Sequence, residues 1–153
     1  MMSVLRLLLP VLAIALVTDL AIGIAHAAPT PEEQEAINAA EKWLVPVDAG
    51  KSADAWAMAS ASFKSSVDRQ TWRTGLADLR KPYGRLESRK AAKIAHVGEA
   101  PAGATGPRGA APGAQVTVLF ETRFAGGKAA DEEVMLVRET DGVWRVAGYF
   151  IRG

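Results

Sequence analysis

The chain has 153 residues, with 18 Lys+Arg against 17 Asp+Glu and a formal net charge of +1. That length fits one domain, and so even a balance excludes the strongly basic surface of a typical nucleic-acid binder. Cysteine is absent, which excludes disulfides, thiolate metal ligands, a cysteine nucleophile and a lipid-modified N-terminal Cys.

The first element is a leader. Arg6 supplies the only early positive charge, Leu7–Val17 is apolar throughout, and Ala25-His26-Ala27 places small residues where a signal peptidase reads them. Asp19 opposes the rival reading of a membrane anchor, since a carboxylate near the centre of a spanning helix costs about 2.5–3.5 kcal/mol. Pro10 and Gly23 interrupt such a helix further. Residues 1–27 are therefore expected to be a cleaved signal peptide, with cut between Ala27 and Ala28, leaving 28–153 as a single domain in the periplasm or outside the cell. No twin-Arg pair is present, so the general export route is expected.

Thr30-Pro31-Glu32-Glu33 is a helix start: Thr30 can cap, Pro31 suits the first helical position, and Glu33 completes a capping box. Ile37, Ala40, Leu44 and Val47 follow at helical spacing beside Trp43, until Pro46 and Gly50 end the run. A second helix is expected from Ser52 to about Ala61, with Ala55, Trp56, Ala59 and Phe63 marking its inner side. Asp68 caps a third, about Arg69 to Lys81, which carries Trp72, Leu76 and Leu79 on one stripe and stops before Pro82 and Gly84.

The period then changes from helical to alternating. Leu86 to Val97 reads as a basic, rather polar strand, and Gly98 to Gly113 as a long flexible connection of Gly, Ala and Pro. Glycine at every third residue within 103–109 superficially suggests a phosphate loop, but no Gly-Lys-Ser/Thr follows. Val116, Val118, Phe120, Thr122 and Phe124 alternate with polar residues except at Leu119, the pattern of a half-buried strand. Gly126-Gly127 turns the chain into a strand over Glu133–Glu139, and Asp141-Gly142 turns it again into Val143–Arg152. The fold expected is α+β, with three N-terminal helices packed on one face of a curved four-stranded antiparallel sheet.

Several runs are familiar. Ala40-Glu41-Lys42-Trp43-Leu44 before Val47-Asp48-Ala49-Gly50, Trp72, Arg80-Lys81-Pro82-Tyr83-Gly84, Ser88-Arg89-Lys90, Phe120-Glu121-Thr122, Glu132-Glu133-Val134 and the closing Asp141–Arg152 stretch together resemble the bacterial "domain of unknown function 4019" family. The resemblance covers nearly all of residues 28–153, and the last run is its most specific part. It implies a small exported bacterial protein with a cone-shaped fold of the nuclear-transport-factor-2-like type, and no assigned reaction. The Gly98–Gly113 loop is longer and lower in complexity than the family leads one to expect.

Candidate sites follow from residue type and position. His96, the only histidine after cleavage, shares a strand face with Leu86, Ala92 and Ile94. Enzymes of the wider superfamily pair a histidine or tyrosine with a carboxylate in the cone, which makes His96 with Glu133 or Asp54 a conceivable acid–base pair; the plainer reading is a strand-end histidine beside a loop. Arg80, Lys81, Arg85, Arg89, Lys90 and Lys93 form a basic cluster around Tyr83, either a solvated strand face or an anion-binding surface. Strict alternation points Lys90 inward and demands a partner, for which Glu133 is the candidate, unless a bulge at Ser88-Arg89 resets the alternation. Trp43, Trp56, Trp72, Trp144 and Tyr149 are core residues, some of which can also line a pocket between helices and sheet.

The ligand-pocket candidates are thus Trp56, Trp72, Arg89, Lys90, His96, Glu133, Trp144 and Tyr149. No catalytic set, metal site or cofactor motif is recognisable. Three readings remain open. The first is a non-enzymatic exported module binding a small molecule or an envelope protein through the cone mouth. The second is an isomerase or hydratase using His96 or a carboxylate. The third is a structural or regulatory envelope protein.

Overall fold

The computed structural model describes residues 28–97 and 113–153, so the leader and nearly all of the Gly/Ala/Pro connection lie outside the described residues. Helices α1 (Pro31–Asp48), α2 (Ser52–Met58), α3 (Ala61–Ser66) and α4 (Arg69–Arg80) precede strands β1 (Leu86–Val97), β2 (Gln115–Phe124), β3 (Lys128–Arg138) and β4 (Trp144–Arg152). The strands form one antiparallel meander in the order β1-β2-β3-β4.

Helix α1 starts where its caps dictate. The Thr30 hydroxyl accepts the Glu33 N–H at 3.2 Å while the Glu33 carboxylate accepts the Thr30 N–H at 2.8 Å, satisfying two donors that every helix start leaves free. Ala36, Ile37, Ala40, Trp43, Leu44 and Val47 form its buried stripe. Pro46 is accommodated in the last turn, and the chain leaves through Gly50 at φ +70°, a left-handed conformation that glycine adopts without strain.

The single helix expected over Ser52–Ala61 is instead two, because the chain is pulled onto the sheet between them. Ala59 and Ser60 are extended and fully buried. The Ser60 N–H donates to the Val146 carbonyl on β4 at 2.8 Å, and its hydroxyl caps α3 by accepting the Phe63 N–H at 3.1 Å. A tertiary hydrogen bond thus overrides local helix propensity, and it also occupies part of the β4 edge. Phe63 enters the core from α3. Helix α4 follows the Asp68 cap, which accepts the N–H groups of Gln70 and Thr71 at 2.8 and 2.9 Å.

On the sheet, Val116, Val118, Phe120, Thr122 and Phe124 of β2 all face the helices and are buried. Strand β3 begins at Lys128, five residues before the expected Glu133, so Ala130 and Glu132 join Val134 and Leu136 on the inner face. Gly126 and Gly127, both with positive φ, make the tight turn that allows this longer pairing.

Strand β1 departs from simple alternation twice. Its register against β2 shifts between Leu86 and Ser88 and again between Ala91 and Lys93. Each shift inserts one residue and reverses the inside–outside pattern. The first turns Arg89 inward, opposite Thr122, and sends Lys90 outward, opposite Glu121. The second restores Ile94 to the inner face opposite Val118. Lys90 is accordingly exposed, and its expected pairing with Glu133 is replaced by one between their neighbours, Arg89 and Glu132.

The main core lies between helices and sheet and is filled by aromatic rings. Trp43 is 1% exposed and stands 5.8 Å from Trp72 and 5.5 Å from Tyr149 between ring centroids, while Phe63 meets Trp72 edge-on at 5.2 Å. A smaller cluster of Phe124, Ala130 and Ile151 closes the opposite end beneath Leu79, Tyr83 and Leu86. Among the described residues no helix is long and apolar enough to cross a membrane.

Candidate functional site

Six elements converge on one buried carboxylate. Glu132 is wholly inaccessible to solvent, a position that costs several kcal/mol per charge unless each lone pair is matched. Here they are matched. One oxygen accepts Arg80 Nη1 at 2.8 Å and the Tyr149 hydroxyl at 2.5 Å. The other accepts Arg89 Nε and the Thr122 hydroxyl, both at 2.6 Å. Asp48, on the last turn of α1, completes the set: Arg89 grips it with two nitrogens at 2.7 and 2.9 Å, and Arg80 adds a third bond at 2.8 Å. Two guanidinium groups and two carboxylates leave the cluster neutral, with forked geometry that lysine cannot reproduce.

The electrostatics follow from this geometry. Burial draws the Arg89 guanidinium down, but the Asp48 and Glu132 carboxylates outweigh it and hold Arg89 above its ordinary range. Burial, then the charge of Glu132, pushes the Tyr149 phenol well above its ordinary value, so it remains a hydroxyl and a donor. Arg80 also lies over the Phe124 ring at 4.8 Å. Every polar group of the cluster is thus engaged by another of its members, and the arrangement clamps α1, α4 and all four strands together.

The candidates read from the sequence are distributed differently. Arg89 and Tyr149 meet on Glu132, as just described. Trp72 is core, its indole N–H donating to the Ser52 carbonyl at 2.9 Å. Trp56 is half-buried, donates to the Val67 carbonyl at 2.8 Å and carries the Arg69 guanidinium 4.7 Å above its ring. His96 faces Glu33 at the start of α1 at 3.0 Å, with its side chain 57% exposed. It is therefore not paired with Glu133 or Asp54: the strand end carries it past the core. Glu133 lies on the outer face of the sheet, 3.4 Å from Arg152. Lys90 is exposed on that same face. Asp48, Thr122 and Glu132 were not singled out by residue type. The alternation running back from Leu136 and Val134 is the signal that puts Glu132 inside.

An open groove lies elsewhere, at the seam between α1 and the start of β4. It encloses about 430 Å³ against Glu35, Ala39, Lys42, Trp43, Met58 and residues 142–146. A second stretch of about 480 Å³ continues from Lys42 and Met58 along the α1–α2 side, against Val45, Pro46, Ala49, Lys51 and Asp54. Trp144 is 6% exposed and forms part of the first wall. Among the described residues its indole N–H is the buried side-chain donor that meets no acceptor, whereas Trp43 donates to the Ala55 carbonyl at 2.8 Å. Arg145, on the same wall, is bound by Asp141 and Glu139. No group of three or more His, Cys, Asp or Glu side chains among the described residues is arranged to hold a metal ion.

The raised Tyr149 ionisation has a measurable consequence. A phenol whose folded value exceeds its unfolded value of about 10 contributes stability that is fully present below that pH and lost as pH rises through the folded value. In a Tyr83→Phe variant, which leaves Tyr149 as the remaining tyrosine, phenolate absorbance should appear only above the free-phenol range, together with alkaline unfolding. Titration near pH 10 in a chain that stays folded would contradict the buried Tyr149–Glu132 bond.

Comparison with known proteins adds a family and little else. No curated protein matches the chain. Among solved structures, a protein from Catenulispora acidiphila determined at 2.5 Å is similar at 14% identity and a TM-score of 0.46, over 78% of this chain and 88% of that one. The family described as "Protein of unknown function (DUF4019)" matches residues 39–149. That span contains Asp48, Arg80, Arg89, Thr122, Glu132 and Tyr149, and the chain belongs to this family.

Proposed function

We propose that the protein is an exported, non-enzymatic binding module that receives a ligand or a partner segment in the groove between α1 and the start of β4. The observation that carries this reading is the contrast between a filled interior and an open, largely apolar seam. Trp43, Phe120, Leu44 and Val118 are essentially without exposure, which leaves little interior room for a ligand. The groove beside Trp144 falls within the size range of small-ligand sites, roughly 300–1,000 Å³. Met58 and Val143, at 36% and 48% exposed, are large apolar side chains on its rims, and Val45, 66% exposed, lies on the adjoining α1–α2 stretch.

Helices gathered on one face of a four-stranded antiparallel sheet support a cone-like architecture of the nuclear-transport-factor-2-like type, with recognition moved from the cone interior to its seam. Against an isomerase or hydratase stand the surface position of His96 and the mutual saturation of the Glu132 cluster. Export rests on the leader-like order of Arg6, Leu7–Val17 and Ala25-His26-Ala27.

Two measurements test this. Mass analysis of the chain recovered from the envelope or medium should give an N-terminus at Ala28; a chain retaining residues 1–27 would contradict cleavage. A fragment screen followed by thermal unfolding should yield compounds that perturb Trp144 and Met58, with about 2.7 kcal/mol of added stability at 100 times the dissociation constant. Val143→Arg should abolish their binding while leaving the fold intact. Hits that bind elsewhere, or none from a broad library, would overturn the groove as the binding surface.

A further inference from the structure

We propose that His96 and Glu33 form a pH-dependent fastener between the end of β1 and the first turn of α1, one that holds most firmly in mild acid.

The first turn of α1 depends on polar ties. No side chain from Pro31 to Glu35 is buried, and the apolar stripe begins only at Ala36. Among the described residues the turn is held by its own capping box and by two pairs that reach the sheet. Glu32 accepts Arg138 Nη1 from the end of β3 at 3.0 Å, and Glu33 Oε1 lies 3.0 Å from His96 Nε2 at the end of β1. Two strands therefore grip adjacent glutamates with different cations. A guanidinium stays charged at every pH a folded protein meets, whereas an imidazole gains its charge between neutral and mildly acidic pH.

Glu33 carries that difference into the helix. Its other oxygen accepts the Thr30 N–H at 2.8 Å, the bond that closes the capping box. An ionised carboxylate only accepts, so a neutral imidazole meets it with Nε2–H. Protonation of the ring keeps this bond and adds a charge to it, which strengthens it. The Thr30 amide, and after it His96, hold the Glu33 carboxyl below its ordinary range, so the carboxylate persists into acid. Its contribution is present above the ordinary carboxylate value and lost as pH falls through the lowered one. The imidazolium contributes only below the histidine range. Between these two limits the contact is at its firmest.

The neighbouring charges favour the charged ring. On α1 the first turns carry Glu32, Glu33 and Glu35, against which β3 sets Arg138, already engaged by Glu32. Strand β2 places uncharged Val116 opposite His96, and Lys93 of β1 lies on the outer face opposite Leu119. The positive end of the α1 dipole opposes an imidazolium, but three carboxylates stand against that end and one arginine.

Solvent exchange of the Glu33 and Gln34 backbone N–H groups reads the fastening, since they donate to the Thr30 hydroxyl and carbonyl. Relative to free-chain rates, their protection in the full chain should be about two- to fivefold higher at about pH 5.5 than at about pH 7.5, as expected for an exposed pair formed on histidine protonation. His96→Gln should remove this difference. Glu33→Gln, whose amide oxygen still accepts the Thr30 N–H, should remove it as well. Arg138→Gln should lower protection at both pH values and keep their ratio. The Gln70 and Thr71 amides, capped by Asp68 at the start of α4, should show no rise. Equal protection of the first turn at the two pH values would overturn the fastener. A ratio that survives in His96→Gln, or an equal rise at Gln70 and Thr71, would overturn it too.

Discussion

A carboxylate with no solvent exposure sets the terms for this fold. Glu132 occupies an inner position of β3 that its neighbours Val134 and Leu136 fill with hydrocarbon, and an unmatched charge there would outweigh much of the stability of a small domain. The chain meets that cost by bringing donors from four elements, Arg80 from α4, Arg89 from β1, Thr122 from β2 and Tyr149 from β4. Asp48 from α1 then neutralises the second guanidinium. The bulge after Leu86, the length of β3 and the end points of α1 and α4 are all conditions for this one cluster. Buried ion pairs are seldom better than hydrocarbon for net stability. What this cluster supplies is a set of directed hydrogen bonds that joins the ends of α1 and α4 to all four strands.

Much of the framework was legible in the residues. The Thr30 capping box, the Asp68 cap, the twelve residues of β1 and the alternation of β2 all follow local rules that the tertiary structure respects. The misreadings share one cause, long-range contacts overriding local pattern. Ser60 breaks a helix because its N–H is claimed by Val146. Lys90 was expected inside because alternation was carried unbroken through a strand that shifts register twice. A bulge at that place was the alternative that resolves the difficulty, and the shift lies beside it, between Leu86 and Ser88. On β3 the alternation through Leu136 and Val134 is unbroken against β2 and places Glu132, not Glu133, on the inner face. Aromatic content identified the core, but which indole lacked an acceptor depends on distances that no sequence pattern encodes.

The clamp also bears on where recognition can occur. By tying the C-terminal turns of α1 and α4 to the sheet, it holds the layers together around a filled interior of Trp43, Trp72 and Phe120. Open apolar space then remains at the seam near the start of β4, where Trp144 and Val143 face the middle of α1. The rigid cluster and the open groove are therefore two ends of one arrangement, since a fixed α1 holds Lys42 and Met58 in register with β4. The family match over residues 39–149 spans all six residues of the Glu132 cluster.

Comparing equilibrium unfolding of Arg89→Ala and Lys90→Ala tests the clamp most directly. The two residues are adjacent on the same strand, and only their inside–outside placement separates them. Removing Arg89 should cost about 3–5 kcal/mol, the range for breaking a buried pair and leaving its carboxylates unmatched, whereas removing Lys90 should change stability by no more than about 0.5 kcal/mol. Equal small effects, or a larger loss from Lys90, would contradict both the β1 register and the dependence of the fold on Glu132.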